Sequence, residues 1–507
     1  MPARPAVDLG SWIARRAAVS GDRPAVTYGD TTWTYRELAN RVDRLAAELV
    51  AGGIGTGDRV GYVGFNHPDF LTTMFAASRA GAVFVPLNFR LTSAELEYIL
   101  SDAGVHTLVA DADRAAVVEP VRASSGITRA IALEPVDGWE QLGPLLAARA
   151  PIAEPQSPAE DDLALIMYTS GTTGRPKGAM LTHGNMFWNN MNALLSLDTM
   201  STDISLVAAP MFHIGGLNVT TLITLQKGGQ LVILPAFDPT AALQLIEQHR
   251  VTTMFGVPAM FLFMSQVPAF ETTDLSSVRQ FTCGGAPVPE PLIALYNGRS
   301  IPFCQGYGLT ETAPLALVMD VYDTARKIGA AGHHVLPLSE VALLGPDGAP
   351  VPAGERGEVC VRGPQVTPGY WQNPDATGAA IDADGWFHTG DVGQQDEDGY
   401  VTVVDRVKDM VISGGENVYP AEVESVLYRH PSIAEVAIIG TPHEKWGEAV
   451  TAIVALKPDT SLTLDEVREF AKDSLAPYKL PLALHLVDAL PRNPAGKVLK
   501  FKLREQV

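Results

Sequence analysis

The sequence predicts an α/β protein: a large N-terminal domain of parallel βαβ sheets, a small β-rich subdomain, and a small α+β C-terminal domain. Three observations carry this. At 507 residues the chain is too long for a single hydrophobic core. Apolar runs of strand length alternate with segments of helical periodicity through the first three hundred or so residues, the signature of βαβ units. From Ser339 the texture changes to short strands punctuated by Gly345-Pro346-Asp347-Gly348 and Ala383-Asp384-Gly385, and after Asp405-Arg406 it changes again to a compact mixed unit. The domain boundary is placed at Lys408, giving domains 1–407 and 408–507.

The elements follow in order. Thr34 with Glu37 three residues on has the spacing of a capping box, Leu38, Val42, Leu45 and Leu49 share one helical face, and Gly52-Gly53 stops the helix. Residues 59–64 read as a strand, 67–80 as a helix and 82–86 as a strand. Further strands are expected at 105–110 and 127–133, and 135–162 is weakly patterned. Residues 163–167 read as a buried strand. Beyond it come a helix from His183, strands at 204–209 and 230–234, a helix at 239–248, and strands at 252–255 and 278–283. The uncharged stretch 251–270 has the length of a membrane span, but Gly256, Pro258 and Pro268 interrupt it, so a strand, a turn at Val257-Pro258 and a packed helix are expected. In the last unit 422–428 and the segment capped by Thr463 are helical, with strands at 436–439 and 449–456. No internal repeat or low-complexity segment interrupts the pattern.

The chemistry concentrates in Tyr168-Thr169-Ser170-Gly171-Thr172-Thr173-Gly174-Arg175-Pro176-Lys177-Gly178, directly after a strand. Glycines let backbone N–H groups converge on an anion, hydroxyls donate more hydrogen bonds, and Arg175 and Lys177 add positive charge, so a polyphosphate is the natural guest. The order Gly-x-x-x-x-Gly-Lys-Ser/Thr of the mononucleotide P-loop is absent. A flexible linker would not need this hydroxyl and lysine content.

Pro210-Met211-Phe212-His213, Gly306-Tyr307-Gly308-Leu309-Thr310-Glu311, Thr389-Gly390-Asp391, Asp405-Arg406 and Pro494-Ala495-Gly496-Lys497 follow in that order. With these motifs the chain resembles, over nearly its whole length, the adenylate-forming superfamily, and within it the acyl-CoA synthetase branch. The resemblance implies an ATP-dependent acyl-CoA ligase that carries a hydrophobic carboxylic acid through acyl-AMP to the thioester, with ATP, Mg²⁺ and coenzyme A as cofactors and co-substrates. It implies that Thr169, Ser170, Gly171, Thr172, Thr173, Gly174 and Lys177 clasp the phosphates, and that Glu311 with Thr169 holds the metal. Gly284, Gly285, Ala286, Pro287, Gln305, Gly306, Tyr307 and Thr310 would flank the nucleotide, and Asp391 with Arg406 would take the ribose. Lys497 would be the lysine that a mobile C-terminal domain inserts during adenylation, with Lys408 as hinge.

His213 resembles the gate of an acyl tunnel whose wall includes Gly215, Val257 and Ala313; a packed core histidine is the alternative. Ser413, Gly414 and Gly415 resemble the pantetheine channel, and Trp446 is placed at the nucleotide end of CoA. No acid follows His213 to hold a substrate ammonium, which disfavours amino acids. Ile412 and Gly414 stand where luciferases and plant aryl-CoA ligases carry lysines, which leans toward bacterial fatty-acyl or broad-range ligases. Two rivals stay open: transfer of the acyl group to a carrier protein or another nucleophile, and a catalytically silent adenylate-binding scaffold.

Composition narrows the partners. Lys plus Arg number 37 against 57 Asp plus Glu, a net charge of −20, which argues against nucleic acid and against an anionic membrane surface. A chain 46% hydrophobic and 19% charged is of ordinary globular type. Cys283, Cys304 and Cys360 form no paired motif, so buried free thiols are expected rather than disulfides or zinc. The first twenty residues lack the apolar core of a secretory signal, so a cytoplasmic location is expected. A homodimer is compatible with the sequence.

Overall fold

The computed structural model describes residues 7–169, 176–333, 337–406, 409–413, 416–443, 446–472, 474–492 and 498–507. Two large sheets make the body. The first has seven strands in the order Glu140–Gln141, Arg129–Ala132, Val105–Ala110, Arg59–Val63, Val83–Leu87, Leu163–Thr169, Lys177–Thr182. All pair in parallel except the last two, which form an antiparallel pair on either side of the glycine-rich segment. The two strands nearest its centre are buried almost throughout, as βαβ crossovers require.

The second sheet has thirteen strands. Its parallel half runs Pro24–Tyr28, Gln230–Ile233, Ile204–Val207, Thr253–Gly256, Gln280–Gly284, Phe303–Gly308. Behind Gln280–Gly284, the rings of Phe261, Phe281, Tyr296 and Phe303 pack with centroids 4.9 to 5.7 Å apart, and the Tyr296 hydroxyl donates to the Phe261 carbonyl at 2.7 Å. Truncating one such ring costs about 3–5 kcal/mol, so this strand is held firmly from the rear.

The expected β-rich subdomain is present, but it continues the second sheet. Gly332–His333 pairs with both Leu315–Val318 and Tyr400–Arg406, and from there antiparallel pairing passes through Phe387–Gln395 and Arg356–Arg362 to Glu340–Leu344. The third sheet belongs to the C-terminal unit: Glu416–Val418, Val411–Ser413, Gly447–Leu456 and Ile433–His443, with Ala483–Val487 parallel to Gly447–Leu456. Ion pairs join this unit to the body. Glu422 lies 3.3 Å from Arg356, whose guanidinium also sits 4.1 Å over the Tyr419 ring, and Arg429 lies 2.7 Å from Glu290.

Local rules hold closely. Helix Tyr35–Ala51 carries the capping box, the Thr34 hydroxyl accepting from the Glu37 N–H at 3.2 Å and Glu37 accepting from the Thr34 N–H at 2.7 Å. The 251–270 stretch resolves into strand Thr253–Gly256, helix Pro258–Gln266 and a short turn of helix at Pro268–Glu271. Among the described residues no helix is long and apolar enough to cross a membrane. In the weakly patterned 135–162 stretch the chain adds the short strand Glu140–Gln141 and helix Leu142–Ala148, too brief to show a period. All three cysteines are buried and free.

Candidate active site

A chamber of about 920 Å³ opens where the strands of the second sheet end, the usual ligand position in open α/β sheets. Residues from distant parts of the chain meet on its wall: Thr169, Lys177, His213, Gly215, Val257, Gly284, Gly285, Gly306, Tyr307, Thr310 and Glu311. The chamber has two ends of different chemistry.

At the polar end, Thr169 and Lys177 face each other as the last and first residues of their antiparallel pair. The Lys177 ammonium lies 5.4 Å from the centre of the Tyr370 ring. The Tyr370 hydroxyl donates to Glu311 Oε1 at 2.8 Å, while the Glu311 carbonyl accepts from the Thr367 N–H at 2.7 Å, so this nearly buried carboxylate is fixed at both its backbone and its side chain. Burial first, and then the Glu311 charge and hydrogen bond, raise the Tyr370 phenol far above its ordinary range, keeping it a donor. A hydroxyl and a carboxylate on one chamber wall are donors of the kind a hard divalent cation takes, so Thr169 and Glu311 would suit Mg²⁺.

On the neighbouring wall, Gly284 and Gly306 are register partners, and a Cβ at Gly284 would come within 2.6 Å of the Gly306 carbonyl oxygen; only glycine permits the wall to be this thin. Gly285 takes a positive φ of 82° as the chain leaves the strand. The Tyr307 hydroxyl donates to Asp391 Oδ2 at 2.7 Å. Asp391 is buried and pairs in register with Arg406, whose side chain lies outside the described part. His388 braces the start of this strand: Nδ1 lies 2.9 Å from Glu358 Oε2 and Nε2 lies 3.3 Å from Asp382 Oδ2, while Glu358 Oε1 accepts from the Gly390 N–H at 2.9 Å. The hydrogen bond that His388 donates to Glu358, then that to Asp382, raises its pKa against a desolvation cost.

The other end is apolar. Ile214, Val219, Phe237, Phe255, Val257, Met260 and Phe263 form its wall. His213 stands at the junction as the residue before helix Ile214–Asn218, its ring 4.4 Å from Phe212, and Phe212 lies 5.4 Å from Phe89. Burial, aided by the Arg90 charge, pushes the His213 pKa down to about 4, so the ring is neutral at physiological pH. Its buried Nε2 has no hydrogen-bond partner among the described residues. Asn66 fixes the approach to it, donating to the Ala209 carbonyl at 3.0 Å and the Leu234 carbonyl at 3.2 Å and accepting from the Met211 N–H at 2.9 Å.

Some expected residues lie off this wall. Gln305 is not part of this wall: it is buried and its side-chain amide donates to the Ala330 carbonyl at 2.8 Å, while Gly306 and Tyr307, next along the strand, line the chamber. Ala286 and Pro287 continue past the chamber, and Ala313 is buried with its carbonyl accepting from Asn218 at 2.7 Å, leaving Pro314 and Leu315 as the lining there. Ser413 and Trp446 lie away from the chamber but close together, since Ser413 pairs with Gly447; Ser413 is buried and Trp446 exposed. Ser170, Gly171, Thr172, Thr173, Gly174, Lys408, Gly414, Gly415 and Lys497 lie outside the described residues. Arg492, five residues before Lys497, reaches the chamber wall from the C-terminal unit.

Sequence reasoning did not single out Tyr370, His388, Asn66, Phe255 or Arg492. Tyr370 alone carried a signal, an aromatic directly after Pro368-Gly369; Asn66, Phe255 and His388 each meet a partner at least thirty residues away, such as Ala209, Gly215 and Glu358.

Comparison with known proteins agrees with this architecture. Residues 13–371 match the family model described as AMP-binding enzyme, and residues 422–497 match that of the AMP-binding enzyme C-terminal domain. A feruloyl-CoA synthase of an Amycolatopsis species is 48% identical over 98% of this chain and 99% of its own. An indoleacetate–CoA ligase of Aromatoleum aromaticum is 40% identical over 99% and 98%. Among solved structures, ATP-bound MatB from Rhodopseudomonas palustris superposes with a TM-score of 0.91 at 35% identity, covering 99% of each chain. The chain belongs to the AMP-binding, adenylate-forming enzyme family, among its AMP-forming acyl-CoA synthetases.

Proposed function

We propose that the protein activates a hydrophobic, ring-bearing carboxylic acid with ATP and transfers the acyl group to coenzyme A, releasing AMP and pyrophosphate. The observation that carries this reading is the single chamber in which a polar end with Thr169, Lys177 and Glu311 is continuous with an apolar end past His213. The two similar ligases named above act, by their names, on feruloyl and indoleacetate groups, both aromatic.

The chemistry follows from the geometry. Bringing a carboxylate to the α-phosphorus sets two anions against each other, and fixed cations and dipoles are the remedy. Lys177 supplies positive charge on the pyrophosphate side, and Mg²⁺ held by Glu311 and Thr169 supplies charge neutralisation when bound. Gly284, Gly285 and Gly306 allow the adenine close to the backbone, and Asp391, oriented by Tyr307, accepts from the ribose hydroxyls. Neutral His213 does not compete electrostatically for the carboxylate; it shapes the passage and offers one hydrogen bond. Lys497 is assigned to adenylation. Rotation of residues 408–507 about Lys408 then exchanges it for the loop at Ser413 to Gly415, with Trp446 nearby, for thioester formation.

The test is pyrophosphate release over a panel of aryl, branched and straight-chain acids, each with and without CoA. Release that requires an acid and favours aryl acids is expected; release indifferent to the acid would remove the proposal.

A further inference from the structure

Within the apolar end of the chamber one polar atom stands out. Thr282 lies on strand Gln280–Gly284, is 1% exposed, lines the chamber, and its hydroxyl has no hydrogen-bond partner among the described residues. Two more hydroxyls on the same sheet, Ser205 and Thr253, are also unpartnered, but neither lines the chamber. Thr282 is therefore the one of the three that a bound acid can reach.

Its position is set by the strand. Thr282 and Gly284 share a face and are separated by two residues, about 6.6 Å. With Gly284 at the adenosine wall, Thr282 lies a full pleat deeper, away from the phosphates. Beside it in register on the neighbouring strand is Phe255, whose ring lies along the path from Gly284 to Gly215: a Cβ at Gly284 would be 3.7 Å from Phe255 Cε2, and one at Gly215 2.9 Å from Phe255 Cζ. A planar acyl group packed against Phe255 would present its distal substituent to Thr282. A trapped water is a poor alternative, because a buried water needs two to four polar partners and the neighbouring lining, Phe255, Val257, Met260 and Leu315, is apolar.

We infer that Thr282 is a specificity-determining residue whose hydroxyl hydrogen-bonds an oxygen-bearing substituent at the end of the acid remote from its carboxylate. The preferred acids are then hydroxylated or alkoxylated rather than plain hydrocarbon acids. This rests on the acid-activating reading above and narrows its substrate class. A hydroxyl accepts as well as donates, so both phenolic and ether oxygens satisfy it.

The test compares cinnamic acid with its 3-hydroxy and 4-hydroxy derivatives, and octanoic acid with 8-hydroxyoctanoic acid, by kcat/KM for pyrophosphate release. In the wild type the oxygenated member of at least one set is expected to be favoured about tenfold or more, the discrimination typical of a site left unpaired by the wrong ligand. Thr282→Val, which keeps the shape and removes the hydroxyl, is expected to bring that ratio to within about threefold of unity, and Thr282→Ser to restore it. A wild-type ratio near one in every set overturns the inference. So does a ratio that Thr282→Val leaves standing, or an equal loss on both members of a set, which would mark Thr282 as merely structural. Absence of acid-dependent pyrophosphate release by the wild type would instead defeat the underlying reaction, a distinguishable result.

Discussion

The two ends of the chamber are built by different rules. At the polar end, proposed to hold the nucleotide, the groups are polar, sit in short contiguous runs, and are tied by individual hydrogen bonds such as Tyr370 to Glu311 and Tyr307 to Asp391. At the apolar end, the wall is gathered from several strands and helices, Gly215, Phe255, Met260 and Phe263 among its residues, and its property is volume. A phosphate demands particular atoms at particular distances; a hydrocarbon surface demands only that space be left. The first end can therefore be shared by proteins that differ at the second.

Substitutions can break or sharpen this contrast. The largest effect is expected at the nucleotide end. Glu311→Gln removes a preorganised charge and should lower pyrophosphate release about 10²–10³-fold for every acid alike. Tyr370→Phe, which only releases Glu311 from its donor, should cost roughly tenfold, again without regard to the acid. If either variant changed the ranking of acids, the two ends would not be separable. Gly215→Val acts at the other end. A side chain there meets Phe255 at 2.9 Å, so kcat/KM for bulky acids should fall by about 10–10²-fold while the smallest acids are retained and the KM for ATP moves by less than about twofold.

The smallest effect concerns the His388 brace. Its pKa is raised in the folded protein above the ordinary value of about 6.5 by Glu358 and Asp382. Its contribution to stability is thus complete below that ordinary value and is lost as pH rises through the raised one. Melting curves from about pH 6 to about pH 9 should show a loss of up to about 1 kcal/mol that His388→Asn abolishes. An unchanged pH dependence in the variant would assign the loss to other groups.

The same contrast explains what could be read in the sequence. The strand and helix order was legible because periodicity and caps are local: Thr34 with Glu37, Thr463 with Glu466 and the prolines of 251–270 each act within a few residues. That Thr169, Lys177, Gly284, Gly285 and Gly306 meet on one wall was legible because the polar and glycine residues lie in runs at strand ends. Gln305 departs from this, because adjacency to Gly306 and Tyr307 in a run does not fix where a long side chain finds its hydrogen-bond partner, here the Ala330 carbonyl. Likewise the small β-rich region is an extension of the second sheet because of a two-residue strand, Gly332–His333, that is too short to have a pattern. Asn66, Phe255 and Thr282 escaped notice because what makes them important, a carbonyl at position 209, a glycine at 215, an empty volume, lies far along the chain.

The central claim is that one chamber joins the two ends, so that neither acid nor ATP reacts alone. A single-turnover experiment run in parallel with ATP labelled in the α-phosphate, which follows acyl-AMP and AMP, and in the γ-phosphate, which follows pyrophosphate, first without CoA and then with CoA added, tests it most directly. No pyrophosphate is expected without acid, acyl-AMP is expected in amounts matching the enzyme once acid is supplied, and it should convert to AMP and acyl-CoA when CoA is added. Pyrophosphate release in the absence of acid, or an acyl-AMP that CoA does not consume, would contradict it.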